Sequence, residues 1–322
     1  YYSRRWGFCI SHLDRLALTD ASYRVVIDST LQPGSISYGE CLLPGEYPAE
    51  VLFSAHCCHP SLANDNLSAL AVAIELARIL AEKPRRFSYR FLFAPGTIGA
   101  ITWLHFNRNA GARVKYGLVL SCLGDSAPPS YKCSRNGNAV IDRYVRAMLR
   151  DEGHVGRVMP FEPMGYDERQ YCSPGFDLPV GCLMRSPNGT FAEYHTSADD
   201  LSFVQPEALA DSLRVLQRIV TMIEEDGVWS RSFPDGEPQL GRRGLYPAIG
   251  GGEAGFELAT LLWVLNLADG RHSLLDMAER TGSRFEAVVA AVRRLAEAGL
   301  LERAPPPDWG PGQASRASGR GD

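Results

Sequence analysis

Short apolar segments of strand length alternate with helix-type segments through the middle of this chain, and that alternation constrains the fold most. Glu50–Ala55 (EVLFSA), Tyr89–Ala94 (YRFLFA) and Gly117–Cys122 (GLVLSC) are near-continuous apolar runs, as expected of strands covered on both faces. Leu67–Leu80, Ile98–Phe106 and Ala139–Glu152 carry helix-type sequence, and Pro206–Glu225 is a long amphipathic stretch that closes the domain. Strands alternating with helices predict an α/β fold, a three-layer α/β/α sandwich around a mostly parallel sheet. Its catalytic-type domain is expected over residues 51–229. Upstream, Val25–Asp28 and Ser35–Tyr38 flank Gln32-Pro33-Gly34, a turn signal, and read as a β-hairpin. Residues 1–50 are therefore expected to be β-rich.

A chain of 322 residues exceeds what one hydrophobic core usually organises, about 250–300 residues. Ser230–Gly252 is rich in Gly, Pro and Arg and reads as a linker. Beyond it, Glu257–Leu267, Ser273–Thr281 and Arg284–Ala298 are three helical segments, followed by Gly299-Leu300-Leu301-Glu302, a strand signal. That order resembles a small winged helix-turn-helix over residues 253–303. The tail, residues 304–322, is Pro-, Gly- and Ser-rich and is expected to be disordered. The third helix mixes Arg284, Arg293 and Arg294 with Glu286 and Glu297. It reads as a packing or dimerisation module, consistent with a homo-oligomer, rather than as a groove-reading helix.

A net charge of -4 and a pI of about 6.0 give no footprint for nucleic acid or an anionic membrane. The longest apolar stretch, around Leu258–Leu267, is broken by Thr260 and Asn266 and falls well short of the roughly 20 residues that span a bilayer. Eight cysteines lie without repeating spacing or any CxxC pair, so neither a thiolate zinc site nor a disulfide framework is expected. A reducing cytoplasm is the expected compartment. The first residues, Tyr1-Tyr2-Ser3-Arg4-Arg5-Trp6, carry neither an initiator Met nor a signal-peptide pattern. The chain is expected to be cut from a longer protein.

Three clusters can carry chemistry. Phe53–Asn66 places His56, His59 and Asp65 just past the end of a buried strand, where open α/β sheets build their sites. Met164–Tyr171 places Asp167 and Glu168 side by side, and Phe191–Asp200 flanks His195 with Glu193, Asp199 and Asp200. Imidazoles and carboxylates in the order His, Asp, Asp, His suit a borderline cation such as zinc. They also suit a two-ion site in which a shared carboxylate bridges the ions. Arg169 and Arg185 are candidates to hold a substrate carboxylate, and Tyr166 and Tyr194 to donate to an oxyanion.

Asn64-Asp65-Asn66-Leu67-Ser68 resembles the Asn-Asp-Asn-x-Ser element of the di-zinc aminopeptidases, and Tyr194-His195-Thr196 with Asp199 resembles their late His-Thr-x-x-Asp element. More closely, nearly all of residues 1–302 resembles a bacterial group of aminopeptidase-like proteins with a C-terminal winged-helix domain. The stretches that carry this include Tyr2–Cys9, Cys58–Ser68, Tyr89–Gly99, Met164–Pro174, Glu193–Asp199, Gly244–Gly250 and Trp263–Leu275. The resemblance implies a zinc exopeptidase-like sheet with one or two zinc ions, Asp65 bridging or holding metal with Asp167 and His195. His59 is favoured over His56 as the histidine of the first cluster. It implies hydrolysis of an amide next to a free amine, in a small peptide, an aminoacyl substrate or a small biosynthetic intermediate.

One position departs from that pattern. The closer group reads roughly Pro-Glu-Thr-Ile-Gly where this chain has Pro95-Gly96-Thr97-Ile98-Gly99. Gly96 thus stands where the general-base glutamate is expected, and loss of a general base typically costs about 10²–10⁴ in rate. Glu168 and Glu193 are the candidate substitutes. The alternative is a catalytically impaired metal-binding or scaffold protein.

Overall fold

The computed structural model describes residues 5–59, 61–246 and 253–305, with side chains from residue 258 onward in the last segment. The expected tail lies almost wholly outside the described residues. The first element, α1 (His12–Ala17), is capped by Ser11, whose hydroxyl oxygen accepts the Asp14 N–H at 3.1 Å. The hairpin expected over residues 25–38 is not formed. Those residues are exposed and unpaired, and apolar content alone cannot hold a two-stranded hairpin that packs on nothing. The first strand, β1 (Gly39–Leu43), begins just after them.

Next come β2 (Glu50–His56), α2 (Ala69–Ala81), β3 (Ser88–Ala94), α3 (Ile98–Phe106), α4 (Arg108–Gly111) and β4 (Val114–Leu120). They are followed by β5 (Ser130–Lys132), α5 (Val140–Asp151), β6 (Val158–Met159), α6 (Glu168–Tyr171), β7 (Val180–Met184) and α7 (Pro206–Glu225). Seven strands form one sheet in the order β1-β3-β2-β4-β7-β5-β6. The centre, β3-β2-β4-β7, is parallel; β1 and β5 join it antiparallel. Every residue of β2 is buried, and alternate side chains enter opposite layers. Val51, Phe53 and Ala55 join the apolar cluster that holds Leu76 of α2 and Leu216 and Ile219 of α7. Leu52 joins the cluster of Trp103 and Leu104 from α3 and Tyr171 from α6. That two-sided burial is the physical content of the three-layer α/β/α expectation.

The expected linker is partly structured. Its first residues belong to β8 (Val228–Arg231), the middle strand of a second, three-stranded sheet, and Leu240 and Leu245 are buried in the main core. This sheet pairs β8 with β9 (Asp269–Ser273) and β10 (Leu301–Arg303) and carries α8 (Glu253–Leu267), α9 (Leu274–Thr281) and α10 (Phe285–Glu297). Ser273 and Asp276 form a capping box at the start of α9, and Gly282, at φ +66°, ends it in the left-handed conformation. Asp226 joins the two domains: its carboxylate accepts from Tyr144 of α5 at 2.7 Å and from the backbone N–H of Leu275 at 3.2 Å. Helix α10 lies against α7 through the ion pairs Arg293–Glu225 and Arg218–Glu286. Among the described residues no helix is long and apolar enough to cross a membrane.

Candidate functional site

The chain leaves β2 at its carboxyl end, passes His59, and turns through residues 63–68 before α2 begins. Inside that turn Asp65 (φ -109°, ψ 85°) and Asn66 (φ -140°, ψ 27°) depart from helical dihedrals, and the peptide joining them is cis. Backbone donors that a helix would have satisfied internally are satisfied by side chains instead. The carboxylate of Asp199 accepts the N–H of Asn64 at 2.6 Å and of Asp65 at 3.0 Å. Asn64 in turn donates to Asp125 at 2.9 Å and accepts from Gly124 N–H at 2.8 Å. All four side chains are buried.

This clamp fixes Asp65 against two histidines. His56 Nε2 lies 2.8 Å from Asp65 Oδ1, and His195 Nε2 lies 3.0 Å from Asp65 Oδ2. His56, His59 and Asp65 each offer one ligand-type atom, and those atoms all fall within 4.8 Å of one another. His195 holds its place with a left-handed backbone, φ +57°, a conformation that costs a non-glycine residue about 1 kcal/mol or more. Tyr194 stacks on its ring at 3.9 Å, and Tyr166 covers His56 at 3.8 Å.

The hydrogen bonds assign a tautomer. Asn66 accepts from Cys122 N–H at 3.1 Å and donates to the Leu120 carbonyl at 3.0 Å, which fixes the orientation of its amide. Its nitrogen also faces His56 Nδ1 at 3.2 Å. With these partners Nδ1 accepts, and the His56 proton sits on Nε2, facing Asp65. Burial lowers the His56 pKa and keeps the ring neutral. Burial would raise that of Asp65, but the hydrogen bond from His56 and the nearby histidines outweigh it and hold the carboxylate ionised.

Several buried acceptors are left over. His59 Nδ1, Asp65 Oδ2 and both oxygens of Asp167 have no hydrogen-bond partner among the described residues. Asp65 Oδ2 is near His195 but outside hydrogen-bonding geometry. Buried orphan acceptors are costly unless something positive completes them, so this set fits a divalent cation. Asp167 stands apart from the compact His56–His59–Asp65 group, at the start of α6. Burial, then the charge of Glu168, pushes its pKa up to about 7 against the pull of Arg169.

The remaining candidates fall in varied places. The Glu168 carboxylate pairs with Lys132 and accepts the Tyr166 N–H at 3.1 Å. Arg185 is held by Asp211 at 2.9 Å and by Ser212 at 3.2 Å, tying β7 to α7. Arg169 is half-buried beside Asp167, with Nε unpaired. Glu193 is half-buried on the His195 loop, and burial, then the Asp65 charge, pushes the Tyr194 hydroxyl up to about 12. Asp125 lies outside the motifs read in the sequence, and Asn64, Asn66 and Asp199 lie within them without an assigned role. Their roles are hydrogen bonds to backbone that appears only once the turn is folded.

Residues 17–226 match the model of the family described as domain of unknown function DUF4910. Residues 227–303 match a winged helix-turn-helix family, and residues 1–30 the domain of unknown function DUF2172. A protein of Clostridium acetobutylicum, named for polysaccharide biosynthesis and for an aminopeptidase-like domain, is 44% identical over 303 residues, covering 94% of this chain and 70% of that protein. A C. acetobutylicum crystal structure named as a peptidase superposes with TM-score 0.88 at 41% identity, over 94% of this chain and 69% of that one. An aminopeptidase from Aneurinibacillus sp. strain AM-1, at 16% identity and TM-score 0.50 over 57% of this chain and 47% of that one, shares the fold. With its sheet and its second domain both covered by these matches, the chain belongs to the DUF4910 family of aminopeptidase-like proteins that carry a C-terminal winged helix.

Proposed function

We propose that this chain binds a divalent cation, zinc by its donor set, and uses it in the manner of a metal-dependent amide hydrolase acting next to a free amine. The observation that carries the reading is the convergence of His56, His59 and Asp65 within 4.8 Å, with buried acceptors left unpaired around them. Imidazole and carboxylate ligands suit zinc. His59, Asp65, Asp167 and His195 are the proposed ligands; His56 would join them only as the other tautomer, with its proton on Nδ1 and the Asn66 amide turned away from it. When bound, the cation supplies Lewis-acid polarisation of a carbonyl and a more acidic water.

The chain's own residues hold that arrangement ready. Asp199 fixes the backbone of Asp65, and His56 fixes the plane of its carboxylate. Tyr194, stacked on His195, keeps its hydroxyl protonated at neutral pH and able to donate to an oxyanion. The C. acetobutylicum relative, named for polysaccharide biosynthesis, favours a small biosynthetic intermediate over a protein as substrate.

A second reading, metal retained with turnover impaired, is favoured by the base position itself. Gly96 offers no proton acceptor, and Glu168 is committed to Lys132. Metal analysis with zinc calorimetry on the full chain, alongside turnover of aminoacyl-p-nitroanilides, separates the two. Zinc bound and lost in Asp65→Asn supports the site; no zinc bound at all overturns it. Zinc without turnover, and turnover gained in Gly96→Glu, selects the second reading.

A further inference from the structure

The space beside Gly96 is already filled. A Cβ built on Gly96 would lie 2.1 Å from Tyr166 Cε1 and 2.7 Å from both Cζ and the hydroxyl oxygen. No real Cβ tolerates such contacts, so the ring and a side chain at 96 exclude each other. The Gly96 backbone is not in the left-handed region, so the constraint there is the ring and not the dihedrals. The same ring lies 3.8 Å, centroid to centroid, from His56 at an angle of 32°. Its hydroxyl is 3.3 Å from Cys58 Sγ, and that sulfur accepts the Gly96 N–H at 2.9 Å.

The loop that delivers the ring is held from behind. Tyr166 N–H donates to the Glu168 carboxylate at 3.1 Å, Glu168 pairs with Lys132, and Lys132 donates to the Met164 carbonyl at 2.7 Å. Gly165 makes the close turn at φ +136°, where a Cβ would meet Glu168 and Lys132 at 2.4 Å. A buried ion pair thus aims one aromatic ring at one backbone position.

We infer that Tyr166 is a positioning residue of this site: its ring takes the volume that a side chain at position 96 would need and packs His56 in place. Glycine at 96 and the inward ring are two halves of one arrangement, and a carboxylate at 96 must first expel Tyr166 from His56. Glu168 serves that arrangement as the anchor of the Tyr166 loop. The inference rests on the reading of His56 as part of a metal site, but its geometry stands without metal.

The test is NMR of the EDTA-treated full chain with 13C-labelled histidine, the His56 ring signal being assigned by its loss in His56→Gln. A ring stacked at this distance shifts the His56 ring protons upfield. Wild type and Tyr166→Phe are expected to keep that shift, and Tyr166→Ala and Gly96→Ala to lose it. In the Tyr166→Ala background, adding Gly96→Ala is expected to leave both the spectrum and the thermal midpoint unchanged. Should Gly96→Ala alone unfold the chain, its rescue by Tyr166→Ala is the same coupling. An upfield His56 signal that survives Gly96→Ala, or an equal cost of Gly96→Ala with and without the tyrosine, overturns the inference. Zinc calorimetry on the same samples reports separately on the metal reading, so either can fail alone.

Discussion

Replacing Asp199 with asparagine tests whether the Asp65 turn is held from outside or by its own preferences. Asp199 is 1% exposed, and both its oxygens are used, by Asn64 N–H at 2.6 Å and Asp65 N–H at 3.0 Å. Hydrogen bonds to a charged partner contribute about 1.5–3 kcal/mol each, and a buried donor left unpaired costs about 1–3 kcal/mol. Asparagine keeps one acceptor and turns an NH2 group toward the other N–H, so one bond is lost and two donors face each other. The expected loss is about 3 kcal/mol, read from urea unfolding of the EDTA-treated protein. Because Asp65 would no longer be oriented, zinc affinity in calorimetry should also fall by about 10–100-fold, as for other outer-shell partners of metal ligands. Asp199→Ala, which removes both acceptors, should cost more. Stability within about 0.5 kcal/mol of wild type, together with unchanged zinc affinity, would show that the turn holds Asp65 without the clamp and refute the argument.

Burial raises the pKa of Asp226 above the ordinary carboxylate range despite donors from Tyr144, Leu275 and Gly227. The folded chain therefore holds that proton more tightly than the unfolded one, and its contribution to stability is lost as pH rises from the ordinary carboxylate pKa through the raised one. Asp226→Asn should flatten that slope in thermal midpoints taken across the acidic range. Arg143 of α5 reaches Asp276 and Glu279 of α9, each at 2.6 Å and only 20% exposed itself. Arg143→Ala should cost about 1 kcal/mol in urea unfolding and loosen the winged-helix domain first, seen as faster hydrogen exchange in α9. A Cβ on Gly156 would fall 1.5 Å from the Pro129 carbonyl oxygen, so Gly156→Ala should cost about 3 kcal/mol and release β5 from β6. A variant within 0.5 kcal/mol of wild type, the ordinary surface range of about ±0.5 kcal/mol, would refute that reasoning.

The parts of the fold legible in the sequence are those written in local pattern. The apolar runs that became β2, β3 and β4 had to be covered on both faces, and the helices between them had to supply the cover. The α9 capping pair Ser273 and Asp276 and the stop at Gly282 are equally local. What was not legible depends on partners distant in sequence. Val25, Val26 and Ile27 have strand-type side chains but meet no neighbouring strand, and all are exposed. At the site, the residue types could be picked out, but not their commitments. Glu168 looks free in the sequence and is claimed by Lys132, 36 positions earlier. Asp199 reads as a motif residue, and only the folded turn reveals that it holds two backbone amides.

The geometry also separates two tasks that an amide hydrolase must combine. In the proposed reading, holding a cation depends on the Asp65 turn, whose supports come from Asp199, Asn64, Asn66 and Asp125, all on the carboxyl-end loops of β2, β4 and β7 or just beyond them. None of those contacts passes through the β3–α3 turn where Gly96 lies. Glycine at 96 therefore leaves the supports of the Asp65 turn untouched. The space it leaves is closed by a ring anchored through a third loop, by Glu168 and Lys132. Position 96 thus reaches the site only through the Tyr166 ring on His56 and the Cys58 sulfur, while the hydrogen bonds that hold the Asp65 turn run elsewhere. Buried acceptors left unpaired, as His59 Nδ1, Asp65 Oδ2 and the Asp167 oxygens are among the described residues, cost stability. In the proposed reading a cation offsets that cost, whether or not the bound state turns over.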